Sequence, residues 1–131
     1  MKQKIRKENI IYPNLSYKIV GILFNVYNEL GYGYHEKYYQ RAISRELSDS
    51  GIGFQEQVSA SLIFNQKTIG RFFLDFLIED KIILEIKKDS RFSKKHIDQV
   101  NNYLKAYNKK LALLVNFDRD GVKFKRLVNI L

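Results

Sequence analysis

Apolar residues recur at helical spacing between Ser16 and Leu30, where Ile19, Ile22, Leu23, Val26, Tyr27 and Leu30 form one stripe. The pattern predicts a first helix, with Ser16 as its N-cap and Gly31 and Gly33 ending it. Residues 1–14 ahead of it read as a basic arm that ends at Pro13, the only proline, leaving 15–131 as one domain. A second stripe, Glu36, Tyr39, Ile43 and Leu47, predicts a helix from Glu36 to Ser50 closed by Gly51. The period then shortens. Phe54–Phe64 and Thr68–Ile78 read as strands joined by a turn at Asn65-Gln66-Lys67, and a turn at Glu79-Asp80 leads into a third strand, Lys81–Lys87. Ser93 suits the N-cap of a helix reaching about Asn108. Leu111–Phe117 is almost wholly apolar, as a strand buried on both faces would be. After a polar turn at Asp118–Gly121, the segment VKFKRLVNIL fits either a strand or a helix. Two helices, three strands, a helix and a strand in that order predict an α/β domain with a mixed central sheet flanked by helices.

The chain of 131 residues has room for one core and too little for two. It contains no cysteine, which excludes disulfides, thiolate metal sites and a thiol nucleophile. No apolar run approaches the roughly 18 residues of a membrane span, and the basic N-terminus lacks the apolar stretch of a secretory signal. A cytoplasmic protein without a membrane partner is expected. Lys and Arg number 23 against 14 Asp and Glu, a net charge of +9. That excess attracts polyanions and suits phosphate contacts, although lysine also accumulates in proteins from AT-rich genomes for codon reasons.

Within the apolar strand runs two carboxylates stand out. Alternation places Ile83, Glu85 and Lys87 on one face of the third strand, opposite Ile82, Leu84 and Ile86. On the second strand it places Phe72, Leu74 and Phe76 opposite Phe73, Asp75 and Leu77. A hairpin around Glu79-Asp80 brings Asp75 and Glu85 near enough to share a cation. Two adjacent carboxylates resist ionising together, and a hard divalent ion that prefers oxygen ligands resolves the conflict. Lys87 would project beside that ion, where an ammonium can hold a water or neutralise charge on a phosphoryl transition state. The competing reading is an ordinary ion pair of Asp75 or Glu85 with Lys87 on a solvated face.

The helices add candidates with alternatives of their own. Glu36 on the apolar stripe points inward, or else complements the helix dipole from the first turn. Ile97, Val100, Leu104 and Tyr107 form the core stripe of the third helix, flanked by His96, Gln99 and Tyr103. Gln99 and Tyr103 lie four apart and can reach a phosphate or a water from that flank, or they are plain surface. His96 is a ligand, a base or neither, and His35 carries no assignment. Lys87, Lys88, Arg91, Lys94 and Lys95 crowd the approach, either as solvated surface or as phosphate contacts.

Taken together these residues resemble the GxxExxY family of the PD-(D/E)XK nuclease superfamily. Gly33-Tyr34-His35-Glu36-Lys37-Tyr38-Tyr39 matches the motif that names the family, and LDF at Asp75, LEIK with Glu85 and Lys87, and Gln99-Val-Asn-Asn-Tyr103 follow in order. The likeness runs from about Ile19 to Asn116-Phe117. It implies a restriction-endonuclease-like core in αβββαβ order with an extra N-terminal helix. Asp75 and Glu85 would be ligands to Mg²⁺ or Mn²⁺, the Ile86 carbonyl would complete the coordination, and Lys87 would be the catalytic lysine. Glu36 matches the family's helical glutamate, also counted among the metal residues, and Gln99 and Tyr103 match the QxxxY motif of RecB-like nucleases. Two positions depart from the pattern: Leu74 replaces the proline before Asp75, and Lys88 puts a charge after the lysine. The expected activity is metal-dependent phosphodiester hydrolysis, with DNA as the substrate. The alternatives are RNA, since no residue distinguishes a 2′-OH reader, or a nucleic-acid- or partner-binding domain that keeps the fold without turnover. A homo-oligomer stays open.

If the basic run contacts phosphates, replacing Lys94 and Lys95 with Ala should weaken DNA binding and flatten its salt dependence, because fewer counterions are released. An unchanged slope of affinity against salt would make the run a solvated surface.

Overall fold

The structure, a computed structural model, describes residues 11–87 and 92–129. Its elements are α1 (Pro13–Leu30), α2 (Glu36–Asp49), β1 (Phe54–Phe64), β2 (Lys67–Ile78), β3 (Ile82–Ile86), α3 (Lys94–Tyr107), β4 (Leu111–Asp118) and β5 (Gly121–Val128). The strands form one five-stranded sheet in the order β1-β2-β3-β4-β5. All neighbours are antiparallel except β3 and β4, which the α3 crossover makes parallel. Helices α1 and α2 cover one face, packing Ile19, Leu23, Tyr39 and Ile43 against Phe76, Leu84, Ile86 and Val115. Helix α3 covers the other, packing Val100, Tyr103 and Leu104 against Leu74, Ile83 and Leu114. Every residue of β3 and β4 is buried, as the apolar Leu111–Phe117 run predicts for strands enclosed on both sides. The expected α/β class and mixed sheet are what the chain adopts. Among the described residues, no helix is long and apolar enough to cross a membrane.

Local chemistry explains most boundaries. Asn65 and Gln66, both at positive φ, form a two-residue hairpin turn, so Lys67 already pairs with Phe64 as the first residue of β2. Ser93 caps α3 through its Oγ, which accepts from the His96 N–H at 3.2 Å. The ambiguous C-terminal segment is a strand, paired with β4 from Asp118↔Gly121 to Leu111↔Val128. The Ser16 N-cap is corrected: α1 begins at Pro13, because a proline's fixed φ and missing N–H suit the first helical position. Ser16 is instead buried, its hydroxyl accepting a hydrogen bond from the Arg126 guanidinium. The basic arm lies outside the described residues over 1–10, and its last two positions belong to α1.

Strict alternation also fails at one point on β2. Phe72 and Leu74 pack towards α3, whereas Phe76 and Ile78 pack towards α1 and α2. Val58 and Phe54 divide in the same way on β1. The change of face falls where Gln57 adopts a left-handed φ of 49° and the Gln57–Asp75 position drops out of the β1–β2 pairing. Alternation cannot continue through a left-handed residue, so the ribbon turns over there. Gln57→Gly should leave stability unchanged or raise it, since glycine adopts this φ freely. Gln57→Val should lower the unfolding free energy by about 1 kcal/mol or more, because a β-branched residue is strained there. Equal effects of the two in urea denaturation would remove the left-handed residue as the cause.

Candidate active site

The β2–β3 ladder is short. Phe76, Leu77 and Ile78 pair with Leu84, Ile83 and Ile82, and the next opposed positions in that register are Asp75 and Glu85. There the side chains take over from the backbone. Asp75 Oδ2 accepts from the Ile86 N–H at 2.8 Å, and Glu85 Oε1 accepts from the Asp75 N–H at 3.3 Å. The overturned ribbon at Gln57 and Asp75 is what ends the pairing, so the carboxylates close the gap that it opens.

Glu85 is buried, at 3% exposure, and Asp75 is half-buried. Burial pushes the Glu85 carboxyl up to about 9; the Asp75 charge and a hydrogen bond between the two side chains add to the rise, and Lys87 opposes it. A proton shared by the pair relieves their repulsion in the metal-free molecule, and a divalent cation relieves it equally well. Two hard carboxylate oxygen donors therefore fit Mg²⁺ or Mn²⁺. Tyr103 faces the same acids from α3. Burial, then the charges of Glu85 and Asp75, push its phenol up to about 12, so it remains protonated.

Lys87 stands just past the end of β3, within reach of both helical layers. Its Nζ donates to Gln99 Oε1 at 3.2 Å on the α3 side. On the α2 side it lines a cavity of about 20 Å³ with Tyr34, Glu36, Tyr39, Ile86 and Phe117, enough for a single water. Glu36 is half-buried at the start of α2, above the buried stripe of Tyr39, Ile43 and Leu47. Among the described residues no three His, Cys, Asp or Glu side chains converge, so Glu36 stands apart from the Asp75–Glu85 pair. Ile86 lies between the two layers, its N–H held by Asp75 and its side chain in the α1–α2 core. Gln99 is exposed, while Tyr103 is buried and stacks on Phe72 at 4.6 Å between ring centroids. Lys94 and Lys95 are exposed in the first turn of α3. Lys88 and Arg91 lie outside the described residues.

Three supporting residues carry no functional assignment from the sequence pattern. Asn116, buried at 1% exposure, donates from Nδ2 to the Lys87 carbonyl at 2.7 Å and so fixes the end of β3. Its signal was a lone amide in an apolar strand. Phe117 stacks on Tyr39 at 4.5 Å, and the Tyr39 hydroxyl donates to the Gly31 carbonyl at 2.6 Å, which holds the loop ahead of Glu36. His35 caps α2, its Nδ1 accepting from the Lys37 N–H at 3.2 Å.

Residues 13–127 match the PD-(D/E)XK nuclease superfamily, and the chain belongs to it. The restriction-endonuclease-like core expected from the motifs is the fold observed. Among solved structures, SSO0001 is similar with a TM-score of 0.55 and 17% identity, over 72% of this chain and 50% of that one. The chain thus spans half the length of that protein, and at this identity the likeness concerns the fold. An alkaline exonuclease, LHK-Exo from Laribacter hongkongensis, is similar with a TM-score of 0.49 and 11% identity, over 87% of this chain and 82% of that one. No curated protein matches the chain.

The acid pair makes stability depend on pH in a defined direction. The folded-state pKa of Glu85 lies above its ordinary value, so between about 4.5 and about 9 the folded protein binds more protons than the unfolded one. Stability present below that window is lost as pH rises through it. Denaturation in chelator across the window should show a falling unfolding free energy for the wild type and a much flatter profile for Glu85→Gln. Parallel profiles would mean that neither burial nor Asp75 raises the Glu85 carboxyl.

Proposed function

We propose that the chain is a Mg²⁺- or Mn²⁺-dependent nuclease of the GxxExxY type that hydrolyses phosphodiester bonds in DNA. The observation that carries this reading is the opposed Asp75–Glu85 pair at the point where β2 and β3 part, with Lys87 two residues beyond and tied to Gln99. Asp75, Glu85 and the Ile86 carbonyl would hold the ion. When bound, the ion supplies Lewis acidity towards the phosphate and lowers the pKa of water. Lys87, held by Gln99, orients the attacking water and offsets charge building on the phosphoryl oxygens. Glu36 acts from the other layer, through the one-water cavity that it lines beside Lys87. On the α3 side Tyr103, kept protonated by burial and the neighbouring acids, offers its hydroxyl beside the acid pair. Water gives up a proton to solvent as it adds to phosphorus, the opposite P–O bond breaks, and the departing oxygen takes up a proton from solvent. Lys94 and Lys95, with Lys88 and Arg91, contact the phosphates of the bound strand. The acids favour this reading over a binding domain without turnover, because such a domain has no use for a buried pair of repelling carboxylates.

Asp75→Asn, Glu85→Gln and Lys87→Ala should each reduce cleavage in Mg²⁺ or Mn²⁺ by roughly 10²-fold or more while leaving the fold intact. Linear, circular and single-stranded DNA, together with RNA, serve as substrates. Added metal should raise the wild-type melting temperature, since a ligand that binds only the folded state stabilises it, and Asp75→Asn should lose most of that shift. A wild type indifferent to metal, alongside a destabilised Asp75→Asn, would sink the metal site in favour of the ion pair.

A further inference from the structure

Beyond Gln57 the β1–β2 ribbon leaves the main sheet and faces α3 alone. Phe72 stacks on Tyr103, and the Tyr107 hydroxyl donates to the Val58 carbonyl at 3.0 Å, which fixes the C-terminal half of α3 against the ribbon. Further out the two part. Leu62 is 50% exposed and stands opposite Gly70, where an added Cβ would meet nothing within 4 Å. The resulting groove has a volume of about 590 Å³ and is lined by Leu62, Phe72, Gln99, Asn102, Tyr103 and Lys105, with Ala106 at its edge. It leads directly to the candidate active site, because Gln99 both lines it and accepts from the Lys87 Nζ.

The lining has a particular chemistry. One wall is aliphatic and aromatic, two amides sit beside it, and the single charge is a cation with no carboxylate present. A neighbouring hollow formed by Lys94, Lys95 and Asp98 shares Gln99 and Asn102 with it, which extends the positive track. Duplex nucleic acid turns phosphates outward and keeps its base faces stacked, so it offers no base face to an apolar wall. An unpaired base offers a π-face for that wall, a polar edge for an amide and a phosphate for a lysine.

We propose that this groove binds the unpaired bases of single-stranded DNA leading into the candidate active site, an assignment that rests on the nuclease reading for its class of substrate. Leu62 and the exposed part of Phe72 take a base face, Asn102 takes a base edge, and Lys105 takes a phosphate.

The test is fluorescence anisotropy with a short oligo-dT strand and a blunt hairpin duplex of equal charge, in chelator so that no metal-dependent turnover occurs. The wild type should bind the single strand about tenfold more tightly. Leu62→Ser should weaken single-strand binding roughly fivefold or more, as the loss of a covered aliphatic contact does, and leave duplex binding unchanged. It should not change the salt slope. Lys105→Ala should instead lower that slope by about 0.7, the value of one single-strand phosphate contact. Leu62→Phe keeps the apolar wall and should retain the affinity, which separates a lost contact from a disturbed ribbon. Equal binding of duplex and single strand, or a Leu62→Ser variant that binds the single strand like the wild type, overturns the proposal. Because the readout needs no turnover, lost strand preference with intact Mg²⁺-dependent cleavage overturns the groove alone. Retained preference without cleavage removes the nuclease reading and supports the groove.

Discussion

Two carboxylates held side by side in the sheet repel each other; a shared proton relieves that repulsion, and the chain also gives each acid a backbone N–H to accept from. Asp75 takes the N–H of Ile86, and Glu85 takes the N–H of Asp75. These are donors that a continued β-ladder would have consumed. The acids thus sit where the β2–β3 pairing ends and main-chain donors are released. The surrounding architecture serves that placement. Enclosure of β3 and β4 by helices on both faces buries Glu85, and the short ladder that ends at Phe76↔Leu84 frees the amides.

A second consequence of the short β3 is that its C-terminal end belongs to neither helical layer. Lys87 therefore meets Gln99 from one layer and shares a cavity with Glu36 from the other. What keeps this junction from fraying is supplied by β4. The Val115 carbonyl accepts from the Lys87 N–H at 2.8 Å, and the Asn116 amide grips the Lys87 carbonyl. Loss of that amide would leave the half-buried Lys87 carbonyl without this donor, at a cost in stability, and would loosen the end of β3.

The elements were legible in the sequence because their apolar periods are long and their turns carry marked residues; β1 runs from Phe54 to Phe64 and α2 starts at Glu36, as the pattern predicts. Asp75 and Glu85 stood out for the same reason, as the carboxylates inside apolar strands. What the pattern concealed was conformational. Nothing about a glutamine at position 57 announces a left-handed φ, so alternation carried Phe76 onto the face of Phe72 and Leu74. Supporting contacts were hidden because they depend on long-range pairing: Asn116 is near Lys87 only once α3 has crossed over and β4 lies parallel to β3. Tyr103 looked like a flank residue, and it is buried because the ribbon turns Phe72 over towards it.

The left-handed residue has a bearing on how the protein behaves in a crowded solution. β1 is an edge strand of 11 residues, and a flat edge of that length presents unpaired amides and carbonyls to any other chain. At Gln57 that edge is broken into two runs that face different ways. A foreign strand that docks on one run loses alignment with the other. The twist that positions an acid pair inside the sheet also interrupts the β1 border.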